Sequence, residues 1–384
     1  MRVAALIAAT ALASCTTGAL SDVEPPLRGE GLDARIEALM AREQVVGMAV
    51  AVIEGDDITH IGAYGFRNRE DALPLETDTI MYGASVTKAA FAYMVMQLVD
   101  EGRLDLDRSI ADYLPRPLPE YADYADLADD DRWRQLTPRI LLSHTSGFAN
   151  MRWLEEDQRL RFHFAPGEHY AYSNEGIWVL QTALEEGLNL NIGAEMQRRV
   201  FDRFGMTRTS MQWREDFAGN LADGYAMDGT FEPHDRRDNV AAAGSMDTTI
   251  ADQARMWRGM FDGIGLSPKA RAEWVRAQFP IRTTQKFPTI QFYNTVDRRG
   301  EATNLSASLV GETWNGPNGR YFSKGGHNDW TGNLVVCAET QQRCLVMLGN
   351  SVRAEIIFAE IVELVLGQTE FPIWWIYPEL NTDE

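Results

Sequence analysis

The sequence predicts a mixed α/β protein of the α+β kind: a helix-flanked antiparallel sheet with an all-helical subdomain inserted into it. Three observations lead there. β-rich runs lie near both ends of the chain, at Val45 to Ile53 with Ile58 to Tyr64, and again after Tyr321. Residues 103–240 between them carry helical rather than alternating spacing. Amphipathic runs, Gly31 to Glu43 and Val352 to Leu366, bracket the whole. Strands from both ends share one sheet when the middle of the chain packs as a layer of its own. A cleft between the two parts is then the natural place for a site.

Each element has its own reason. Residues 1–15 read as a processing segment. Arg2 gives a positive start, and Val3 to Ala13 is apolar but too short to span a bilayer. Leu12-Ala13-Ser14-Cys15 resembles a bacterial lipoprotein signal in which Cys15 becomes the lipidated first residue; an ordinary cleaved secretory signal is the alternative. Thr16 is not acidic, which points to the outer membrane side of the periplasm. Residues 16–30 form a tether, 31–368 the main domain and 369–384 a tail that packs on the body. The Gly31 helix puts Leu32, Ile36, Leu39 and Met40 on one face, and Glu54-Gly55-Asp56-Asp57 closes the first hairpin.

Thr79 to Tyr82 is extended and passes through Gly83 into a helix marked by Phe91, Met94, Val95, Leu98 and Val99, ending near Gly102. This places Ser85 in the first turn and Lys88 one turn later on the same face. Thr137-Pro138 is a cap followed by proline at the first helical position. It leads to His144, which is equally suited to bracing the Gly147 turn and to chemistry. The turn at Pro166-Gly167 delivers Tyr170 to Gly176 into a helix through Ile177, Leu180 and Leu184. A turn at Ala242 to Met246 precedes a further helix near Thr249, and residues 280–322 read as extended or looped. Cys337 and Cys344 flank a polar turn between two apolar runs. In an antiparallel hairpin they face each other and form a disulfide in an oxidising compartment; two buried thiols are the alternative.

Composition narrows the function classes. The 384 residues carry 45% hydrophobic and 24% charged residues, as ordinary globular chains do. The net charge of −20 argues against a nucleic-acid partner and against docking on anionic lipid, leaving a lipid on Cys15 as the membrane link. The oligomeric state is open. His60, His144, His163, His169, His234 and His327 show no H-x-x-x-H or H-x-H spacing, so neither a metal nor a cofactor is expected. Of 36 basic residues only Lys88, Lys269, Lys286 and Lys324 are lysines. Arginine does not give up its proton in a protein and lysine can, so lysine position is informative here.

Ser85-Val86-Thr87-Lys88 pairs a hydroxyl with an amine. A serine hydroxyl is a poor nucleophile until a base takes its proton, and lysine serves only if its pKa is depressed. Alone, S-x-x-K is a weak motif, and a capping serine beside a solvated lysine is the ordinary alternative. Tyr172-Ser173-Asn174 and Lys324-Gly325-Gly326 follow in order. With these three motifs the chain resembles the serine β-lactamase and penicillin-binding superfamily, whose set is S-x-x-K, S/Y-x-N and K-T-G. The Tyr-x-Asn form is similar to the class C branch and its esterase and D-peptidase relatives. The resemblance runs from about Val46 to Asn350 and implies the β-lactamase/transpeptidase fold.

That resemblance implies a role for each position. Ser85 is the nucleophile of an acyl-enzyme, and Lys88 and Tyr172 form its proton relay, with either one as the base. Asn174 holds Lys88 and the substrate amide. Lys324 pairs with a substrate carboxylate and depresses the pKa of Tyr172 and Lys88. Gly325 and Gly326 let substrate lie along the strand, and the N–H groups of Ser85 and His327 form the oxyanion hole. A register shifted by three residues puts His327 in the place of Lys324. Two departures weaken a β-lactam as substrate: Gly325 removes the K-T-G hydroxyl, and no separate acidic deacylation base is visible. The expected function is a cofactor-independent serine hydrolase of esters, amides or D-amino-acid peptides. The alternatives are a penicillin-recognising sensor that acylates without efficient turnover, and a scaffold without chemistry.

Overall fold

One antiparallel sheet collects strands from both ends of the chain. The structure is a computed structural model that describes residues 28–287 and 295–380. The expected signal with Cys15, most of the tether and the last residues of the tail lie outside the described residues. The chain begins with α1 (Glu30–Glu43) and the hairpin of β1 (Gly47–Glu54) and β2 (Asp57–Asn68), followed by β3 (Leu73–Pro74). β4 (Met81–Tyr82) leads through a 3-10 turn, Ala84–Val86, into α2 (Thr87–Asp100). Next come α3 (Pro138–Leu142), α4 (Asn174–Leu188), α5 (Ile192–Met196), β5 (Gly224–Tyr225), β6 (Phe231–Glu232) and β7 (Asp247–Thr248). After α6 (Ile250–Phe261) and α7 (Pro268–Val275) the chain returns to the sheet. It adds β8 (Phe279–Pro280), β9 (Ser306–Ala307), β10 (Glu312–Gly316), β11 (Gly319–Asn328), β12 (Thr331–Ala338) and β13 (Arg343–Gly349), then ends in α8 (Ala354–Leu366) and α9 (Ile373–Ile376).

The sheet order is β3-β2-β1-β13-β12-β11-β10-β9-β8. β1 and β13 pair from Met48↔Gly349 to Glu54↔Arg343, so the first and last strands meet in the middle. β1 reads as a continuous apolar run because both of its faces are covered. Ala49, Ala51 and Ile53 join the inner core, while Met48, Val50 and Val52 join the outer one under α1 and α8. α6 crosses the inner face over β1, β2 and β13. α2 is buried from Thr87 to Leu98, as a helix that is apolar all round must be.

The inserted part is less helical than expected. Between residues 103 and 136 the chain makes only 3-10 turns, and β5 and β6 form a small separate ladder. Pro115, Pro117 and Pro119 explain the first departure, since proline withholds a helical N–H and excludes the helical region for the residue before it. Cys337 and Cys344 stand opposite each other in the β12–β13 register and are joined by a disulfide. The tail packs on the body through Trp375, which is buried with its ring 5.7 Å from that of Tyr170. Among the described residues no helix is long and apolar enough to cross a membrane.

Candidate active site

Ser85 sits in the 3-10 turn ahead of α2 rather than in its first α-helical turn. Ala84, just before it, has φ of 45°, a left-handed conformation that costs a non-glycine residue about 1–2 kcal/mol. The turn is clamped against that strain. The Gly83 N–H donates to Met246 O at 2.9 Å, the Thr87 hydroxyl donates to Ala84 O at 2.6 Å, and the Met246 N–H donates to Thr87 Oγ1 at 3.2 Å. On its open side Gly326 of β11 lies flat against it. A Cβ there would meet Gly83 O at 2.7 Å and the Ser85 nitrogen at 3.1 Å. The expected role of Gly326, room for substrate, is therefore first a role for the protein's own backbone.

Lys88 projects from the start of α2. Its Nζ lies 2.8 Å from Ser85 Oγ and donates to the Ala243 carbonyl at 2.5 Å. The turn singled out at Ala242 to Met246 thus supplies both the clamp on Ser85 and the seat for Lys88. This corrects the expectation that Asn174 holds Lys88: Asn174 lines the cleft at the start of α4, with a buried side-chain oxygen that has no partner among the described residues.

Tyr172 arrives from the opposite wall. Ser173 caps α4, its hydroxyl accepting the Gly176 N–H at 3.0 Å, and this fixes the direction of the run before it. His144 braces that run instead of the Gly147 turn. Its carbonyl accepts the Ala171 N–H at 2.9 Å, its Nδ1 accepts the Ser173 N–H at 3.2 Å, and its ring lies 4.2 Å from the Tyr172 ring. Burial, with Lys324, Lys88 and Lys286 nearby, pushes His144 well below its ordinary pKa, so the ring is neutral. The Tyr172 hydroxyl hydrogen-bonds Ser85 and accepts from Lys324 Nζ at 3.3 Å.

Lys324 is 1% exposed and its side chain turns inward to Tyr172, not outward to the cleft where a substrate carboxylate would lie. His327 stands on the other face of the strand, its Nδ1 2.8 Å from Glu355 at the start of α8. Lys324 thus reaches Ser85 by way of Tyr172, while the His327 side chain turns to α8. Beyond Ser323 the β10 ladder stops, which leaves the β11 edge from Gly325 to Asn328 without a strand partner along the cleft.

Two residues at the centre were missed by sequence reasoning. Lys286 pairs with Glu312 at 2.7 Å, both buried, and its ammonium lies 5.3 Å from the centre of the Tyr172 ring. The one signal for Lys286 was the scarcity of lysine, since three of the four now converge here. Burial, then Lys324, then Lys286 push Lys88 well below the usual lysine range. Burial lowers Lys324 as well, against the opposing pull of Glu312. The expected depression of Tyr172 does not occur. Burial outweighs Lys286 and the Ser85 hydrogen bond and holds the phenol up at about 12. The cleft around these groups has a volume of about 670 Å³. Its mouth carries Trp153, 52% exposed, with its ring 5.7 Å from that of Trp178.

A family model described as Beta-lactamase matches residues 32–359. Penicillin-binding protein 4 of Amycolatopsis lactamdurans is 40% identical over 115 residues, 30% of this chain and 28% of that protein. Esterase EstB of Burkholderia gladioli is 28% identical over 201 residues, 46% of this chain and 49% of that protein. The matched stretch spans half the length or less of these relatives. The crystal structure of D-alanine carboxypeptidase AmpC from Burkholderia cenocepacia superposes with a TM-score of 0.68 at 20% identity, covering 88% of this chain and 97% of that one, which shows the fold.

Proposed function

The chain belongs to the beta-lactamase family, and on that premise we propose that it is a serine hydrolase working through an acyl-enzyme on Ser85. One observation carries the reading: Lys88 Nζ is 2.8 Å from Ser85 Oγ, and its other partner is a backbone carbonyl rather than a carboxylate. A buried lysine without a counter-charge and beside two other cations is a neutral amine, which is a base.

In this mechanism Lys88 takes the Ser85 proton as Oγ attacks the substrate carbonyl carbon. The oxyanion receives the N–H groups of Ser85 and His327, a placement supported by the contact of Gly326 with the Ser85 turn. Tyr172 stays a phenol at neutral pH and so acts as the acid. It passes its proton to the leaving group, and the proton that Lys88 took from Ser85 then goes to the Tyr172 oxygen, which restores both groups. Water then attacks the acyl carbon with the same pair as base and acid. Asn174, which lines the cleft at the start of α4, orients the substrate. Gly325 and the free β11 edge receive the substrate backbone.

The substrates are esters, amides or D-amino-acid peptides, with β-lactams second. The likeness to an esterase and to a D-alanine carboxypeptidase supports the first group. The missing hydroxyl at Gly325 and the buried Lys324 argue against the last. The enzyme acts in the periplasm, anchored by a lipid on Cys15. A fluorophosphonate probe applied to wild type and Ser85→Ala tests the chemistry. Ser85-dependent labelling with a burst and steady release from p-nitrophenyl esters is expected. Labelling of Ser85 without steady p-nitrophenol release after the burst, or labelling that survives Ser85→Ala, would overturn it. A panel of p-nitrophenyl esters, D-Ala peptides and a chromogenic cephalosporin then ranks the substrates.

A further inference from the structure

Three buried lysines and one buried carboxylate crowd one phenol. Lys88, Lys324 and Lys286 place their nitrogens 5.2, 4.8 and 5.3 Å from the centre of the Tyr172 ring. Glu312 is the acid, and both of its oxygens are occupied. Oε1 takes Lys286 at 2.7 Å, and Oε2 takes the Ser323 hydroxyl at 3.3 Å. Glu312 stands opposite Ser323 in the β10–β11 register. Although Lys324 leaves the strand on the other face, its long side chain turns around the end of β10 to the same phenol, close enough for its charge to act on Glu312. A buried carboxylate is costly without a cation, and it would claim Lys324 if no other were in reach. Lys324 donates to Tyr172 instead. Lys286 is itself fixed, its N–H donating to Trp375 O at 2.9 Å, while the ring of Phe287 packs 4.9 Å from that of Tyr172.

We propose that Lys286 is a positioning residue for the reaction: by occupying Glu312 it leaves Lys324 on the Tyr172 hydroxyl. The inference rests on the hydrolase reading above and assigns that site a component which the three motifs do not contain. The charge of Lys286 also opposes a proton on Lys88. Other titratable groups face the Lys88–Tyr172 pair: His144 after α3, Tyr170 before α4, Tyr82 of β4, Lys324 of β11 and Glu312 of β10. Loss of Lys286 removes one cation and lets Glu312 neutralise another. Both changes make the Lys88 ammonium easier to hold, so the acid limb of the pH profile moves to higher pH.

The test measures the second-order rate of Ser85 labelling by a fluorophosphonate probe against pH. It compares wild type, Lys286→Met, Lys286→Arg and the pair Lys286→Met with Glu312→Gln. Lys286→Met is expected to label about 10- to 100-fold more slowly, with the acid limb raised by about one pH unit. Lys286→Arg keeps the charge and stays within about threefold of wild type. In the pair variant no carboxylate competes for Lys324 and no buried charge is left unpaired, so it folds and recovers to within about tenfold of wild type. A Lys286→Met protein with the wild-type rate and midpoint overturns the inference, and so does a pair variant more than about 100-fold slow. If Lys286→Met does not fold, the pair variant alone decides. A wild type that is not labelled at Ser85 instead sinks the hydrolase reading, and this inference with it.

Discussion

At the scale of single residues, burial and neighbouring charge push Lys88 down and Tyr172 up, as the proposed mechanism requires of its base and its acid. Below its depressed pKa Lys88 is an ammonium and accepts no proton, so activity is lost as pH falls through that value and retained above it. Tyr172 ionises only near 12, so it imposes no alkaline fall at lower pH. The kcat/KM profile measured between about pH 5 and pH 10 should therefore show one rising limb and a plateau. A bell with its alkaline limb inside that range would contradict the assignment. In the proposed mechanism Tyr172→Phe removes the acid and the acceptor for Lys324 and should lower kcat by about 10²- to 10⁴-fold. Ser85, Lys88, Tyr172 and Lys324 were legible because each sits in a short motif whose spacing has a local cause. Lys286 and Glu312 were not, because nothing in the sequence links positions 286, 312 and 172 until the sheet brings them together. His144 was legible as a candidate, but its partner, the Tyr172 run, was not.

Among the elements, the approach of β11 to the Ser85 turn sets the width of the site. In Gly326→Ala the new methyl meets a backbone oxygen and a backbone nitrogen, neither of which yields as a side-chain tip would. Labelling of Ser85 should drop by at least about tenfold, while stability falls by only about 1–3 kcal/mol, read from probe kinetics and urea unfolding. A second contact anchors the opposite wall. Glu175 in the first turn of α4 is fully buried and accepts from the Arg152 backbone at 2.8 Å and from its guanidinium at 2.7 and 3.0 Å. Glu175→Ala leaves those donors unpaired and should cost about 3–5 kcal/mol in urea unfolding. The hairpins and the long helices were legible from period and turn chemistry. The 103–136 stretch was not, because proline and aspartate there favour 3-10 turns that resemble broken helix in sequence. The paired Trp153 and Trp178 at the cleft mouth carried no periodic signal at all.

The whole molecule is held by the sheet and by one covalent link across it. Replacing both Cys337 and Cys344 by alanine opens a short loop, with a sequence separation of 7, and should cost about 2–3 kcal/mol in denaturant unfolding. Reductant should lower the stability of wild type but not of the alanine pair. If Cys15 carries the proposed lipid, Cys15→Ser should move the protein from the membrane fraction to the soluble periplasmic one, and unchanged fractionation would remove the anchor from the proposal. The α+β class was legible because the strands lie at both ends of the chain. Their order across the sheet was not, since period alone does not state which strand neighbours which.

The seam where β1 meets β13 joins positions about 300 residues apart. During synthesis, the β1–β2 hairpin therefore has no mate on its β1 side until β13 has been made. Any fragment that stops before position 343 exposes a raw sheet edge to aggregation and proteolysis.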